Sequence, residues 1–186
     1  MEMSTTTESL RRDHNLIEKM LKALDTTATL LKSGKTIPAP ILEQMIDFTK
    51  NFTIVCHHGK EEDSLFPALE KSGMPREGGP IARMLFEHEV TKQLADKMEE
   101  SAKNYLQSGS SDALVADIKA YIDHVALHLA KENHRLFMMA DMILQGKAQQ
   151  VNSDLAQAEE AKLKELGKTR AHYEKLVDDV QSGLQQ

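Results

Sequence analysis

His128-Leu129-Ala130-Lys131-Glu132-Asn133-His134-Arg135-Leu136-Phe137 is the stretch from which the rest of the chain is best read. It aligns with His57-His58-Gly59-Lys60-Glu61-Glu62-Asp63-Ser64-Leu65-Phe66 at an offset of 71 residues, through the skeleton H-x-x-K-E-x-x-x-L-F. In each copy a His and a Glu stand four residues apart, on one face of a helix. Upstream of the second copy, Leu114, Ile118, Tyr121, Val125, His128, Glu132, Leu136 and Met139 follow one another in steps of three or four, the stripe of a buried helical face. His128 and Glu132 lie about 40° apart on it, and His124 lies about 40° to the other side of His128. A carboxylate within an apolar stripe is very costly without a partner. A cation on the axis of a helical bundle is the simplest one.

Working outward, the same periodicity falls into blocks separated by breakers. The first runs from about Thr6 to Leu31, with Thr5 and Glu8 as a capping box. Its stripe is Leu10, Ile17, Leu21, Leu24, Ala28 and Leu31, and the place missing after Leu10 is filled by His14. After Ser33-Gly34-Lys35, Pro38 and Pro40 fit the first turn of a second helix that reaches Lys71. Gly- and Pro-rich connections lead to a third helix, from Pro80 to Leu106, and a fourth, from Ser111 to Gln145. Four long helices joined by short loops predict an all-α chain folded as an antiparallel up-down four-helix bundle. From Asn152 onward a polar helical stretch, broken at Gly167, is expected as a C-terminal appendage. The division is a bundle over residues 1–146 and an extension over 147–186.

Composition narrows the classes of function. The 186 residues carry 23 Lys and Arg against 29 Asp and Glu, a net charge of -6, which argues against a phosphate-neutralising face for nucleic acid. A single cysteine, Cys56, excludes an intrachain disulfide or a Cys-based zinc site. No apolar run is long enough to span a membrane, and Met1-Glu2-Met3-Ser4 does not resemble a signal peptide. The expected location is the cytoplasm. Trp is absent and Met numbers 10, so much of the core is expected to be aliphatic and Met-filled.

The eight histidines carry the remaining information. The lone residues His14 and His88 each follow an acid, in Asp13-His14 and Glu87-His88, on the helix preceding each copy of the repeat. Each half thus supplies one lone His and one His/Glu pair, and two such halves suggest two metals related by a pseudo-two-fold axis. Imidazole and carboxylate donors without thiolate favour iron, manganese or zinc over copper(I). Two symmetric glutamates can each bridge a metal pair. A ferritin-like di-iron bundle would need Glu-x-x-His motifs, which the chain lacks. The second helix contains a conflict. The stripe Phe48, Phe52, Val55 extrapolates to His58 and Glu62, whereas the repeat selects His57 and Glu61. A straight helix cannot turn both histidines inward, but a bulge near Gly59 can. The repeat is preferred, with Glu62 as second choice.

With Asp13-His14, Cys56-His57-His58-Gly59-Lys60-Glu61-Glu62, Leu65-Phe66-Pro67, Gly79-Pro80-Ile81, Glu87-His88-Glu89, His128, Lys131-Glu132-Asn133 and Leu136-Phe137 in view, the sequence resembles the hemerythrin-like, or HHE cation-binding, family over about residues 8 to 145. The resemblance implies a four-helix bundle holding two non-haem iron ions with an oxo or hydroxo bridge. It assigns His14, His57, Glu61, His88, His128 and Glu132 as ligands. The family's usual five histidines leave one place for either His58 or His124. Through Gly79-Pro80-Ile81 and Glu87-His88 the chain also resembles bacterial di-iron proteins linked to repair of iron centres, without their short Cys-containing N-terminal domain.

The expected function is binding or sensing of oxygen or a related small gas, with nitric oxide and peroxide as further ligands. The alternatives are a di-iron redox enzyme acting on peroxide or nitric oxide, and an iron-centre repair or iron-storage protein. Whether the chain is an enzyme stays open, and no protein partner is indicated. Outside the ligand set, His134 and His172 are expected in solvent, Tyr121 and Cys56 in the core, and residues 156–165 on a solvated face.

Overall fold

The computed structural model describes residues 5–185, so the reading of Met1-Glu2-Met3-Ser4 lies outside the described residues. Six helices form, and no strand occurs among the described residues, as the helical periodicity predicts. The first, α1, is Glu8–Lys32. The second, α2, spans residues 39–71 and changes winding along its length. It is α-helical over Ala39–Asp47, π-helical over Phe48–His58 and again over Glu61–Leu65, and α-helical over Phe66–Lys71. Helix α3 is Pro80–Ser108. Helix α4 spans residues 112–143 as Asp112–Lys131, a π-helical turn at Glu132–Leu136, and Phe137–Ile143. A short 3₁₀ turn leads into α5, Ala148–Leu166, and α6, Arg170–Gly183.

The breakers act where their chemistry requires. Pro80 occupies the first turn of α3, where its missing N–H is no loss. Gly109 and Gly167 close α3 and α5 in the left-handed region, at φ 74° and 63°. The capping box at Thr5 and Glu8 does not form, because α1 begins at Glu8 itself. Instead Thr7 donates its backbone N–H and its hydroxyl to Asp141 of α4, each at 2.9 Å.

Each of α1 and α3 packs against both α2 and α4, so the four long helices close a ring. Their apolar faces meet in two clusters. The larger contains Ile17, Leu24, Phe48, Phe52, Ile118, Tyr121 and Val125, and the smaller contains Leu10, Leu65, Phe66, Ile81, Leu136 and Phe137. The histidines and glutamates of the repeat lie between the two along each helix. No helix among the described residues is long and apolar enough to cross a membrane.

The C-terminal helices are less detached than their polar composition suggests. Val151 and Leu155 of α5 join the smaller cluster, while Leu163, Tyr173, Leu176, Val177 and Val180 join the larger. Tyr173 is fully buried with its ring 5.5 Å from that of Phe52 and 6.1 Å from that of Phe48. The stretch 156–165 is not simply solvated: Glu159 pairs with Lys60, and Lys162 with Asp63, both on α2.

Candidate metal centre

Helix winding decides which side chains reach the interior. A π-helix takes more residues per turn than the 3.6 of an α-helix, because its hydrogen bonds span five residues. Over Phe48–His58 this carries Phe52, Cys56, His57 and His58 all inward, and leaves Val55 36% exposed. The α-helical stripe through Val55 therefore points to the wrong face. After the second π-helical segment begins, Glu61 is fully buried while the Glu62 side chain is 41% exposed. The same winding recurs 71 residues later, with Glu61–Leu65 matched by Glu132–Leu136.

Three donor groups result, each with its ligand atoms within 4.8 Å of one another: His58, His88 and His128; His14, His57 and Glu132; and Glu61, His88 and Glu132. All seven side chains are at least 95% buried. Nε2 of His57 lies 3.1 Å from Glu61 Oε1, Nε2 of His128 lies 3.1 Å from Glu132 Oε1, and Nε2 of His14 lies 3.0 Å from Glu132 Oε2. Nε2 of His88 is 3.7 Å from an oxygen of each glutamate. The His58 ring stacks on His88 at 3.7 Å. His14 stacks on Phe137 and His88 on Phe66, so fully buried aromatic rings flank the donors.

Behind the donors stands an outer ring that repeats with the same symmetry. His57 donates from Nδ1 to Asp13 at 2.9 Å, and His128 from Nδ1 to Glu87 at 2.9 Å. His14 Nδ1 bonds Asn133 Oδ1 at 2.8 Å, and His88 Nδ1 bonds Glu62 Oε1 at 2.8 Å. Asn133 and Glu62 are themselves 71 residues apart. Each of these four rings therefore has its Nδ1 occupied, which orients the ring and leaves Nε2 for the interior. Lys60 and Lys131 complete the pattern, Lys60 Nζ at 2.5 Å from Asp13 and Lys131 Nζ at 2.6 Å from Glu87.

The electrostatics suit a bound cation. Both oxygens of Glu61 and of Glu132, Nε2 of His88 and His128, and both nitrogens of His58 are buried without a hydrogen-bond partner. Burial and the Glu132 charge push the Glu61 carboxyl above its usual range. Burial and the neighbouring His88 and His128 hold His58 well below the usual imidazole value. Burial would lower His57 and His128, but Glu61 and Asp13 push the first up to about 9, and Glu132 and Glu87 push the second up to about 10. Burial would raise Asp13, yet the bond from His57 and the charges of Lys60 and Arg170 keep its carboxyl far below the ordinary range. Buried imidazole nitrogens and carboxylate oxygens gathered in three overlapping groups suit a hard or borderline metal ion.

His124 is not brought to this point. Its Nε2 lies 3.0 Å from the Glu87 carbonyl and 3.1 Å from Thr91 Oγ1, so it serves α3 rather than the donor cluster. His134 is exposed, while His172 is half-buried, with its ring edge-on to Tyr173 at 5.0 Å. Cys56 is free and buried, and burial pushes its thiol up to about 12.

The roles of Asp13, Glu87, Asn133, Lys60, Lys131 and Arg170 are not apparent from the helical stripes. The repeat carried a signal for four of them: Asp13 and Glu87 each precede the lone His, and both lysines belong to the skeleton. Asn133 differs in type from Glu62, which hides it, and Arg170 lies outside the repeat altogether.

The chain is 26% identical over 135 residues to proteins of Mycobacterium tuberculosis and Mycobacterium bovis, both described only as uncharacterized. The match covers 72% of this chain and 52% of theirs, so the chain spans about half the length of these relatives. No solved structure matches significantly. The description "Hemerythrin HHE cation binding domain" matches residues 5–140, the stretch that contains all seven inward-facing side chains, and the chain belongs to that family.

Proposed function

We propose that the chain is a non-haem di-iron protein whose centre binds a small gas, oxygen first, as a carrier or sensor. The observation that carries this reading is the set of seven buried donors, in which both oxygens of Glu61 and Glu132, both nitrogens of His58 and Nε2 of His88 and His128 lack a hydrogen-bond partner, while Nε2 of His14 and of His57 meet each other at 3.1 Å. On this reading the four long helices run up and down as an antiparallel bundle. Residues 1–146 form the metal-carrying unit, and residues 147–186 dock onto it. Of the two candidates for the fifth histidine, His58 is preferred, because His124 is occupied by Glu87 and Thr91.

One iron would be held by His58, His88 and His128, and the other by His14 and His57, with Glu61 and Glu132 between them. The inequality comes from a single position: the counterpart of His58 in the repeat is Leu129. The two-histidine side therefore has one protein donor fewer, which leaves room for an exogenous diatomic ligand. When bound, a ferrous pair supplies the electrons that oxygen, nitric oxide or peroxide chemistry needs. The chain's own residues supply the rest. Asp13 and Glu87 accept the Nδ1 protons of His57 and His128 and fix which nitrogen faces inward. Phe66, Phe137, Leu65 and Leu136 keep bulk water away. The one free cysteine suits a reducing compartment such as the cytoplasm.

Anaerobic reduction followed by exposure to air tests the gas-binding role. A spectrum that appears in air and reverses on deoxygenation is expected for a carrier. Irreversible oxidation without a reversible band would instead favour a redox enzyme or a sensor. Two zinc ions per chain, with no iron after growth in iron-rich medium, would contradict the iron chemistry.

A further inference from the structure

Besides Asn133 standing where the other half has Glu62, the two halves of the outer ring differ in how the acid is held. Glu87 receives Lys131 and also Arg83, whose Nε lies 2.7 Å away from one turn earlier on the same helix. The position one turn before Asp13 is Ser9, whose hydroxyl is buried and has no hydrogen-bond partner. A serine there cannot deliver a guanidinium. Arg170 does so from outside the repeat, with Nη1 at 2.6 Å from Asp13 Oδ1. The contact is held in place from several sides: Arg170 also pairs with Glu159 and Glu174, and its guanidinium sits over the Phe52 ring at 5.6 Å. The two arginines are unlike in setting, Arg83 being 62% exposed and Arg170 21%. Both carboxylates are buried, so the difference lies in the arginines, and the pair less screened by solvent is the stronger.

We propose that Arg170, in the first turn of α6, is a positioning residue for the two-histidine side of the centre. It replaces the guanidinium that the first half of the repeat lacks at Ser9. By fixing Asp13 it fixes the His57 ring, and so couples α6 to one of the two metal positions and not to the other. The inference rests on the di-iron reading above, and makes the two irons unequal in how firmly they are held.

Chelator-driven iron release from the loaded full chain tests it, followed as irons per chain and by Mössbauer spectroscopy, which resolves unequal iron sites. Wild type should release two irons slowly. Arg170→Gln should lose one of the two up to about 10-fold faster, the lower end of the scale for removing a group bonded directly to a metal ligand, since Arg170 acts on His57 through Asp13. Arg83→Gln should change release far less. Unchanged release of both irons in Arg170→Gln, or equal acceleration of both, would overturn the role of Arg170. Should Arg170→Gln also lower the melting temperature of the metal-free chain, Lys162→Gln separates the cases. It breaks the ion pair that ties α5 to Asp63 of α2 and touches neither Arg170 nor Asp13. A purely structural role for the C-terminal helices predicts that Lys162→Gln also speeds release of one iron, whereas positioning predicts wild-type release. A wild-type chain that holds no iron pair would sink the di-iron reading itself, a result distinct from any of these.

Discussion

Glu61 and Glu132 face one another at the centre of the molecule, fully buried and without a hydrogen-bond partner on any oxygen. Two buried carboxylates cost several kcal/mol each in effective desolvation, which the imidazoles at 3.0–3.1 Å offset only when they carry protons or share a metal cation. Glu61→Ala or Glu132→Ala should therefore lose most bound metal, as measured by elemental analysis of the purified variant. Two metals at wild-type affinity in either variant would contradict a bridging role. The histidines make a paired prediction. His58→Ala should lose metal from one position, whereas His124→Ala should retain both, and the reverse pattern would exchange their roles. Cys56 is predicted to be inert. Its thiol is pushed up to about 12, so at pH 8 almost none is thiolate, the form that reacts. An aromatic disulfide reagent should label it only after denaturation.

At the scale of elements, the sequence pattern located all four long helices and the break at Gly167, because apolar steps of three and four and Gly or Pro punctuation survive as simple one-dimensional signals. Winding did not survive in the same way. The stripe Phe48, Phe52, Val55 assumes 3.6 residues per turn, and the π-helical stretch Phe48–His58 violates that assumption. The repeat selects Glu61, the acid that is buried, because it compares residue types and needs no period. Asn133 and Arg170 were illegible for different reasons: one is masked by a change of residue type, the other meets Asp13 only through tertiary folding, 157 residues away in sequence. The C-terminal helices were underrated because their buried residues are few, yet Tyr173 fills space against Phe48 and Phe52. Tyr173→Ala should cost about 3–5 kcal/mol, the range for a large aromatic truncated in a core. Denaturant unfolding reads this directly, and a loss below about 1 kcal/mol, the scale of a typical surface substitution, would mean that α6 does not dock as described.

For the whole molecule, the donors come from four helices: His14 from α1, His57, His58 and Glu61 from α2, His88 from α3, and His128 and Glu132 from α4. A metal pair so held ties the helices together, and binding to the folded state alone raises stability by mass action. Chelation should lower the melting temperature, and iron restored anaerobically should recover it. The net charge of -6 then includes two carboxylates committed to the interior. The most direct test of the account is metal analysis of the purified, air-exposed chain together with its near-ultraviolet spectrum, a region left clear by the absence of Trp. Two irons per chain with a near-ultraviolet charge-transfer band are predicted. A colourless chain with no iron, or one iron at a single site, would contradict it.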